Sequence, residues 1–418
     1  MLEQMKDTQG LDKDHSTIVQ LAHGEAPHSK RILDELSVGI DFITDFWLER
    51  YFREFIPAGG SKIKFITGQP GSGKTHTLHL LSAIARNEDF ITVQFSAKEI
   101  WLHDFKEVYL EILRQCDLMH LLVRCSHGII AAMGFNHQDI PEGMTFMDYL
   151  GQNGLSDGVT RRELRLQLKT MFLDNTFLDN NFALACSLLC GGILGHPFLE
   201  NQSKQLLLSW LAADKNIKVP SLRPLGLAPS RITKFNARHM LRSLAEVVRL
   251  SGHPGLLVAI DNLEVLIDKS SLNPMHYTKM KRDDTYESIR ELIDDIDSFH
   301  NIMFMFAFER SLLDNDNSGL KSYQALWMRI QNEIVGTRIN RFSDIVDLDS
   351  IASQLFTPQM LVQMSEKLAK VVNSIDINAR TIDEAKANEI VNLAKLGGIS
   401  IPRLVNQATM QTLEGASL

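Results

Sequence analysis

Short apolar runs of strand length recur along the chain, each bounded by polar or turn-forming residues. They lie at Lys62–Thr67, Phe90–Phe95, Gly255–Ile260, Ile302–Phe308 and Asp344–Leu348. Most of these runs are followed by apolar residues at helical spacing, which is typical of strand–helix units in a parallel sheet. The hydrophobic pattern therefore predicts an α/β fold with a five-stranded parallel core.

The interval between the second and third strands is too long to be a loop. Residues 104–253 carry apolar side chains at helical spacing, for example Leu164, Leu168 and Phe172. Because structureless loops of such length are rare inside domains, we predict a long helical insertion that folds as its own subdomain. After Leu348 the pattern becomes wholly helical, which predicts a small lid of three helices.

These patterns divide the chain into consecutive segments. They are a flexible N-terminus (residues 1–30), the first part of the core (31–103), the insertion (104–253), the second part of the core (254–350) and the lid (351–418). The first segment is polar, as poorly ordered termini usually are. The sequence ends soon after the lid, so we expect no appended winged-helix domain.

Composition adds the class of protein. With 418 residues, 44% of them hydrophobic and 22% charged, the chain is globular and large enough for two or three domains. The N-terminus lacks a basic start followed by an apolar core, so we predict no secretory signal and a cytoplasmic location. The uncharged stretch Phe182–Leu199 contains glycines and a proline, which favours a buried helix over a membrane span. The four cysteines lack metal-binding spacing, which favours buried thiols over zinc.

The strongest chemical signal follows the first strand, where residues 68–75 spell GQPGSGKT. In a GxxxxGK(S/T) motif the glycines turn backbone N–H groups toward phosphate, Lys74 reaches the β- and γ-phosphate oxygens, and the Thr75 hydroxyl ligates Mg²⁺. The sequence therefore predicts a nucleoside triphosphate site. The predicted binding residues are Gly68, Gln69, Pro70, Gly71, Ser72, Gly73, Lys74, Thr75 and His76.

The third strand supplies the second half of such a site. It delivers Asp261 at its carboxyl end, where ligands bind in open α/β sheets, and we predict that Asp261 and Thr75 hold Mg²⁺. The next residue is Asn262, where P-loop ATPases of this type usually carry a glutamate as general base. An amide cannot accept a proton, and a positioned base contributes about 10²–10⁴-fold to a rate. We therefore expect slow hydrolysis.

Two acidic residues are candidates to replace the missing base. Glu264 lies three residues after Asp261, and Glu309 ends the fourth strand. For Glu264 the alternative is helix capping or surface pairing. Glu309 also stands where a γ-phosphate sensor would lie, although Ser, Thr or Asn is commoner there.

Three arginines are candidates for contacts with the γ-phosphate. Arg338 and Arg341 precede the fifth strand, where an arginine of an oligomeric ATPase reaches the neighbouring subunit and accelerates hydrolysis by about 10³–10⁵-fold. The alternative is a surface ion pair with Asp344 or Asp347. Arg403 lies in the first turn of the last helix, where a cation is unfavourable, which indicates a role toward phosphate; the alternative is a surface arginine.

Charge is informative in one segment only. The net charge of −8 argues against a surface that coats nucleic acid, but residues 215–242 contain basic and no acidic side chains. The basic residues are Lys215, Lys218, Arg223, Arg231, Lys234, Arg238 and Arg242. Two interpretations stay open: a solvated linker and helix face that pairs with acids elsewhere, or a contact with DNA.

Together, the Gly68–Thr75 motif, the Asp261 strand, Arg341, the lid and Arg403 resemble AAA+ ATPases of the initiator/loader (Orc-like) branch. The stretches GGSKIKFITGQPGSGKT, GLLVAIDNLE and GLKSYQALWMRI are similar to the ATP-binding proteins of BREX phage-defence islands, the BrxD-like family. That family usually shows Asp-Glu where this chain has Asp-Asn.

The resemblance implies an AAA+ (ASCE-type P-loop) core, ATP with Mg²⁺ as ligand, and an anti-phage setting near DNA. It also implies other subunits of a defence complex as partners, a homo- or hetero-oligomer, and an adenine-pocket role for Gly39.

Three hypotheses about function follow. In the first, the protein is an ATP-dependent switch in which nucleotide between core and lid sets the lid angle and the assembly state. In the second, it is a scaffold that binds ATP structurally and recruits partners through the insertion. The third, a P-loop kinase, is disfavoured because such kinases do not place a long lid with an arginine like Arg403 after the fifth strand.

Overall fold

A computed structural model describes residue 21 and residues 26–270, 273, 275–331, 340–373, 379–395 and 399–410. Its strands are β1 (Ser61–Gly68), β2 (Ile91–Ser96), β3 (Leu256–Asp261), β4 (Ile302–Glu309) and β5 (Ile345–Asp347). The predicted five-stranded parallel core is confirmed, with each strand boundary within one residue of its predicted place.

The order of the strands in the sheet is β2-β3-β4-β1-β5. β4 therefore lies between β1 and β3, although it follows both in the sequence. Since all pairs are parallel, the carboxyl ends of β1, β4 and β3 meet at one edge of the sheet. Open α/β sheets bind ligands at this edge.

The helices around the first half of the core precede the insertion. They are α1 (Lys30–Leu36), α2 (Asp41–Trp47), which continues as π-helical turns (Leu48–Phe55), and α3 (Lys74–Asn87). α3 begins inside the GQPGSGKT motif, so the motif joins β1 to the N-terminus of a helix, as a phosphate-binding loop requires.

The described insertion is helical, as the hydrophobic pattern predicted. Its α-helices are α4 (Phe105–Cys116), α5 (Leu118–Ala132), α6 (Phe146–Gln152), α7 (Gly158–Leu168), α8 (Asn180–Leu194), α9 (Asn201–Leu211) and α10 (Ala237–Leu250). Phe182–Leu199 contains most of α8, which is largely buried. No helix in the described part of the chain combines the length and apolarity needed to cross a membrane.

The second half of the core and the lid complete the chain. Their α-helices are α11 (Lys279–Asp294), α12 (Ser311–Asp314), α13 (Gln324–Ile330), α14 (Leu348–Leu355), α15 (Pro358–Asn373), α16 (Glu384–Lys395) and α17 (Ile401–Met410). The predicted lid of three helices corresponds to α15, α16 and α17. The Thr357 hydroxyl accepts from the Met360 N–H (3.3 Å), so it caps the start of α15.

Both faces of the sheet are covered, which explains why β3 and β4 are apolar almost throughout. Alternate residues such as Val258 and Phe304 face a core shared with the insertion helices. Their neighbours, such as Leu257 and Met303, face α2 and α3. One hydrophobic core is therefore continuous from the sheet into the insertion, while the domain boundaries given above stay predictions.

Candidate nucleotide-binding site

A cavity of about 1040 Å³ lies at the carboxyl edge of the sheet, between the core and the lid. Ligand pockets typically measure about 300–1,000 Å³. The core contributes residues 70–77, Asp261, Asn262 and Glu309, and the lid contributes Arg403. The fold therefore brings together residues that lie far apart in the sequence.

The Gly68–Thr75 loop contacts the lid directly. Gly71 has φ +79°, and a Cβ added there would lie 2.8 Å from the Arg403 Cβ and Cδ atoms. Glycine is therefore needed both for the left-handed backbone and for the close approach of Arg403. The Ser400 hydroxyl donates to the Pro70 carbonyl at 3.2 Å, so the start of α17 is attached to the loop at two points.

Lys74 lies along the inside of this loop. Its Nζ donates to the carbonyls of Gly68 (3.1 Å) and Gln69 (2.9 Å), and the residue is buried. Burial lowers the pKa of the ammonium, while the carboxylates of Glu264 and Glu309 oppose that change. The Lys74 ammonium thus interacts with both the loop carbonyls and the acidic side chains. This places a positive charge where a bound phosphate would need one.

Thr75 and Asp261 are in direct contact. The Thr75 hydroxyl donates to the Asp261 carboxylate at 2.5 Å, and Asp261 is buried at the end of β3. A hydroxyl and a carboxylate are hard oxygen ligands of the kind that Mg²⁺ takes together with substrate phosphates. Among the described residues there is no group of three or more His, Cys, Asp or Glu side chains that could hold a metal ion. These two oxygens fit a Mg²⁺ that depends on the nucleotide for its other ligands.

Asn262 has a left-handed backbone (φ 59°), which asparagine tolerates better than most residues. Its Oδ1 accepts from the Ser96 hydroxyl at 2.9 Å, and its Nδ2 donates to Glu264 at 3.3 Å. Glu264 is buried, and its second carboxylate oxygen accepts from the Glu309 N–H at 3.1 Å. These contacts tie the ends of β2, β3 and β4 together.

The predicted γ-phosphate arginines differ in their surroundings. Arg403 is exposed and lines the cavity. Arg341 is exposed, stacks its guanidinium 5.5 Å from the Phe42 ring centroid, and makes no ion pair with another described residue. Arg341 therefore does not make the alternative pairing with Asp344 or Asp347. Arg338 lies outside the described residues.

Both aspartates pair with basic residues of the core. Asp344 pairs with Lys62 (2.7 Å) and Lys64 (3.0 Å), and Asp347 pairs with Arg310 (2.7 Å). Lys64 is fully buried on β1. These ion pairs fix the segment just after Arg341 to the sheet.

Part of the cavity lining is apolar. Val38, Ile40, Phe356 and Met364 belong to it, and such a surface suits a nucleobase. Gly39 does not line the cavity: it packs against Phe356, where an added Cβ would lie 2.4 Å from Phe356 Cε1.

His76 also lies on the cavity wall. Its Nε2 is 2.9 Å from the Ser37 hydroxyl. Burial, with a smaller contribution from His79, lowers the pKa of His76 to about 4, so the ring is neutral at physiological pH.

Sequence reasoning missed Asp349 and Ser96. The Asp349 carboxylate accepts from the Gln69 N–H at 2.6 Å, and burial raises its pKa. Ser96 ends β2, and Asp349 lies two residues after the end of β5, so both lie close to the ligand-binding edge of the sheet. The strand order would have pointed to them, because β5 neighbours β1 and β2 neighbours β3.

Six of the seven basic residues from Lys215 to Arg242 fall into two kinds, and the seventh, Arg242, is partly buried. Arg238 forms ion pairs with Glu291 and Asp295, and Arg231 donates to backbone carbonyls within the segment. The other kind is exposed to solvent. These residues are Lys215, Lys218, Arg223 and Lys234. The Nζ of Lys234 lies 5.4 Å from the ring centroid of Phe235, which is 84% exposed.

Comparison with known proteins identifies a family for this chain. A family model described as the BREX system ATP-binding protein BrxC/D matches residues 12–121 and 165–405, which is most of the chain. The matched ranges include the Gly68–Thr75 loop, Asp261, Glu309 and Arg403. A search of curated proteins and a search of solved structures found no match.

Proposed function

The chain belongs to the family of BREX system ATP-binding proteins BrxC/D, and from that premise we propose that it is a slowly hydrolysing, AAA+-type switch that responds to ATP and Mg²⁺. The observation that carries the proposal is the cavity between core and lid, which joins Lys74, the Thr75–Asp261 pair and Arg403. In this arrangement nucleotide binding and lid position are coupled.

Each part of the nucleotide has a matching part of the cavity. The Gly68–Thr75 loop and Lys74 hold the β- and γ-phosphates, and Thr75 with Asp261 holds Mg²⁺, which neutralises phosphate charge when bound. Val38, Ile40 and Phe356 receive the base. Arg403 approaches the phosphates from the lid. Since Arg403 already packs on Gly71, small changes at the loop displace α17.

The protein acts as one subunit of a defence assembly in this proposal. Arg341, held by Phe42 and followed by the anchored Asp344, is exposed and without an ion pair among described residues. It is therefore suited to reach the nucleotide of a neighbouring subunit, with Arg338 as the second candidate. DNA is the proposed ligand of the exposed basic residues between Lys215 and Lys234, where Phe235 offers a stacking surface.

A nucleotide-stabilised scaffold is the alternative, favoured by the amide at Asn262. In that case ATP raises stability without turnover; at 100 times its Kd a ligand stabilises the folded state by about 2.7 kcal/mol. Phosphate release separates the two, because only the switch returns to its starting state by hydrolysis.

The first test is ATP binding by wild type and Lys74→Ala. Hydrogen bonds to charged groups contribute about 1.5–3 kcal/mol, so we expect roughly 10- to 100-fold weaker binding in the variant. Equilibrium titration with a fluorescent ATP analogue measures it, and Lys279→Ala, at an exposed lysine outside the cavity, is the control. Equal ATP affinity of wild type and Lys74→Ala would show that the loop is not the phosphate site.

A further inference from the structure

Glu309 is the carboxylate that the strand order places between the Gly68–Thr75 loop and Asp261. β4 pairs with β1 on one side and with β3 on the other, and Glu309 is the register partner of Gly68. Because the three strands are parallel, a side chain at the end of β4 stands between the phosphate loop and the metal-binding carboxylate.

The other polar side chains just after Asp261 are engaged in hydrogen bonds. The Asn262 amide is held by the Ser96 hydroxyl and by Glu264. Glu264 is buried, and its carboxylate oxygens accept from the Asn262 amide and from the Glu309 N–H, with Lys98 Nζ 3.7 Å away. Glu264 therefore supports the backbone at Glu309 and has little freedom to approach a water molecule at the γ-phosphate.

The Glu309 carboxylate, in contrast, is available. It is partly buried, lines the cavity, and makes no hydrogen bond or ion pair with any other residue in the described part of the chain. The charged groups that act on it are Glu264 and Asp268, which raise its pKa, and Lys74 and Lys98, which lower it. Burial is the largest influence, and the net result is a raised pKa, which strengthens a general base.

We propose that Glu309 is the general base of ATP hydrolysis in this protein, in place of the carboxylate that is absent at Asn262. The inference rests on the proposed function, namely that ATP binds in this cavity. Glu264 acts as a positioning residue through its hydrogen bond to the Glu309 backbone.

The reaction step balances without any further reactant. A water oxygen forms a bond to the γ-phosphorus as the bond to the β,γ-bridging oxygen breaks, and that electron pair stays on ADP. One water proton passes to the Glu309 carboxylate and from there to solvent. The products are ADP and inorganic phosphate.

The experiment compares wild type, Glu309→Gln and Glu264→Gln, with Glu142→Gln as a matched change at an exposed site outside the cavity. Three quantities are measured: ATP affinity, the rate of phosphate release, and the nucleotide that stays bound after incubation. For Glu309→Gln we expect unchanged ATP affinity, turnover lower by about 10²–10⁴-fold, and retained ATP where wild type retains ADP.

Glu264→Gln distinguishes the base from its support. The amide oxygen can still accept from the Glu309 N–H, but the negative charge that raises the Glu309 pKa is gone. The acidic limb of the turnover–pH profile should therefore move to lower pH. In Glu309→Gln that limb should disappear. Asn262→Glu added to Glu309→Gln should restore part of the turnover, because it returns a carboxylate to the neighbouring strand end.

Two results would overturn the inference while ATP binding stands: turnover by Glu309→Gln at the wild-type rate, or a wild type that binds ATP and never releases phosphate. A wild type that does not bind ATP would refute the proposed function itself, and the inference with it.

Discussion

At the scale of single residues, the site depends on side chains whose charge the fold controls. His76 is an example outside the phosphate loop: burial holds its pKa at about 4, and its Nε2 lies 2.9 Å from the Ser37 hydroxyl. The contact connects the C-terminal end of α1 to the start of α3, next to the loop. A proton on this ring would place a charge in a half-buried position.

We therefore predict that acid destabilises the fold through His76. An unfolded histidine has a pKa of about 6.5. Between about pH 6.5 and pH 4 the ring is protonated in the unfolded chain but neutral in the folded protein. The free energy of unfolding therefore decreases as the pH falls through this range. At about 1.4 kcal/mol per pKa unit the loss at pH 5 is at most about 2 kcal/mol, and we expect roughly 1 kcal/mol because the ring is partly exposed.

Urea unfolding at pH 7.5 and pH 5 measures this effect. His76→Gln should lose less stability between the two pH values than wild type, whereas His120→Gln, at an exposed position, should behave as wild type. An identical loss in wild type and His76→Gln would show that other groups cause the acid sensitivity.

At the scale of elements, the lid is coupled to the core at two places. α17 contacts the phosphate loop through Arg403 and Ser400. The start of α15 contacts the segment before α2, where Gly39 (φ +78°) has Phe356 and Met360 within 2.8 Å of an added Cβ. Phe356 also lines the cavity, so the proposed function links packing at Gly39 to binding of the base.

The chain offers a matched pair of glycines to test this coupling. Gly134 has a similar backbone (φ +85°) but nothing within 4 Å of an added Cβ. Both Gly39→Ala and Gly134→Ala should lower the free energy of unfolding by about 1–2 kcal/mol, because alanine is strained in a left-handed backbone. Gly39→Ala should lose about 1–3 kcal/mol more from overpacking.

Only Gly39→Ala should also weaken ATP binding, because the clash displaces Phe356. Thermal unfolding and ATP titration of both variants measure the two effects. If the two variants have equal stability and equal ATP affinity, then the lid does not pack against the segment around Gly39 as described.

At the scale of the whole molecule, the proposal requires assembly. Arg341 does not line the nucleotide cavity of its own subunit. Its guanidinium packs on the Phe42 ring, and the segment just after it is held by the Lys64–Asp344 ion pair. An arginine that acts across an interface contributes about 10³–10⁵-fold to turnover. Arg341→Ala should therefore lose turnover on this scale without losing ATP affinity.

Mixing experiments test whether Arg341 acts between subunits. Lys74→Ala subunits keep Arg341, and Arg341→Ala subunits keep an intact phosphate loop, so a mixture should regain part of the turnover that each lacks alone. A mixture that stays inactive, although the two variants co-assemble, would show that Arg341 does not act on a neighbouring subunit.

The sequence alone determined the sheet and the phosphate loop. Strands of a buried parallel sheet need apolar residues almost throughout, and a loop that wraps phosphate needs glycines and a lysine at fixed spacing, so both requirements are visible in local patterns. For the same reason the helical insertion and Asp261 at the end of β3 were predictable. Family membership then followed from a match over most of the chain.

Only the tertiary structure decided how the acidic residues are arranged. Glu264 and Glu309 were both candidates in the sequence, but the strand order places Glu309 between the Gly68–Thr75 loop and Asp261, the proposed metal ligand, whereas Glu264 is buried and accepts from the Glu309 N–H. Asp349 was invisible for the same reason, because its partner Gln69 lies 280 positions away. Local patterns fix what an element is, whereas contacts between distant strand ends depend on the order in which the chain lays its strands side by side.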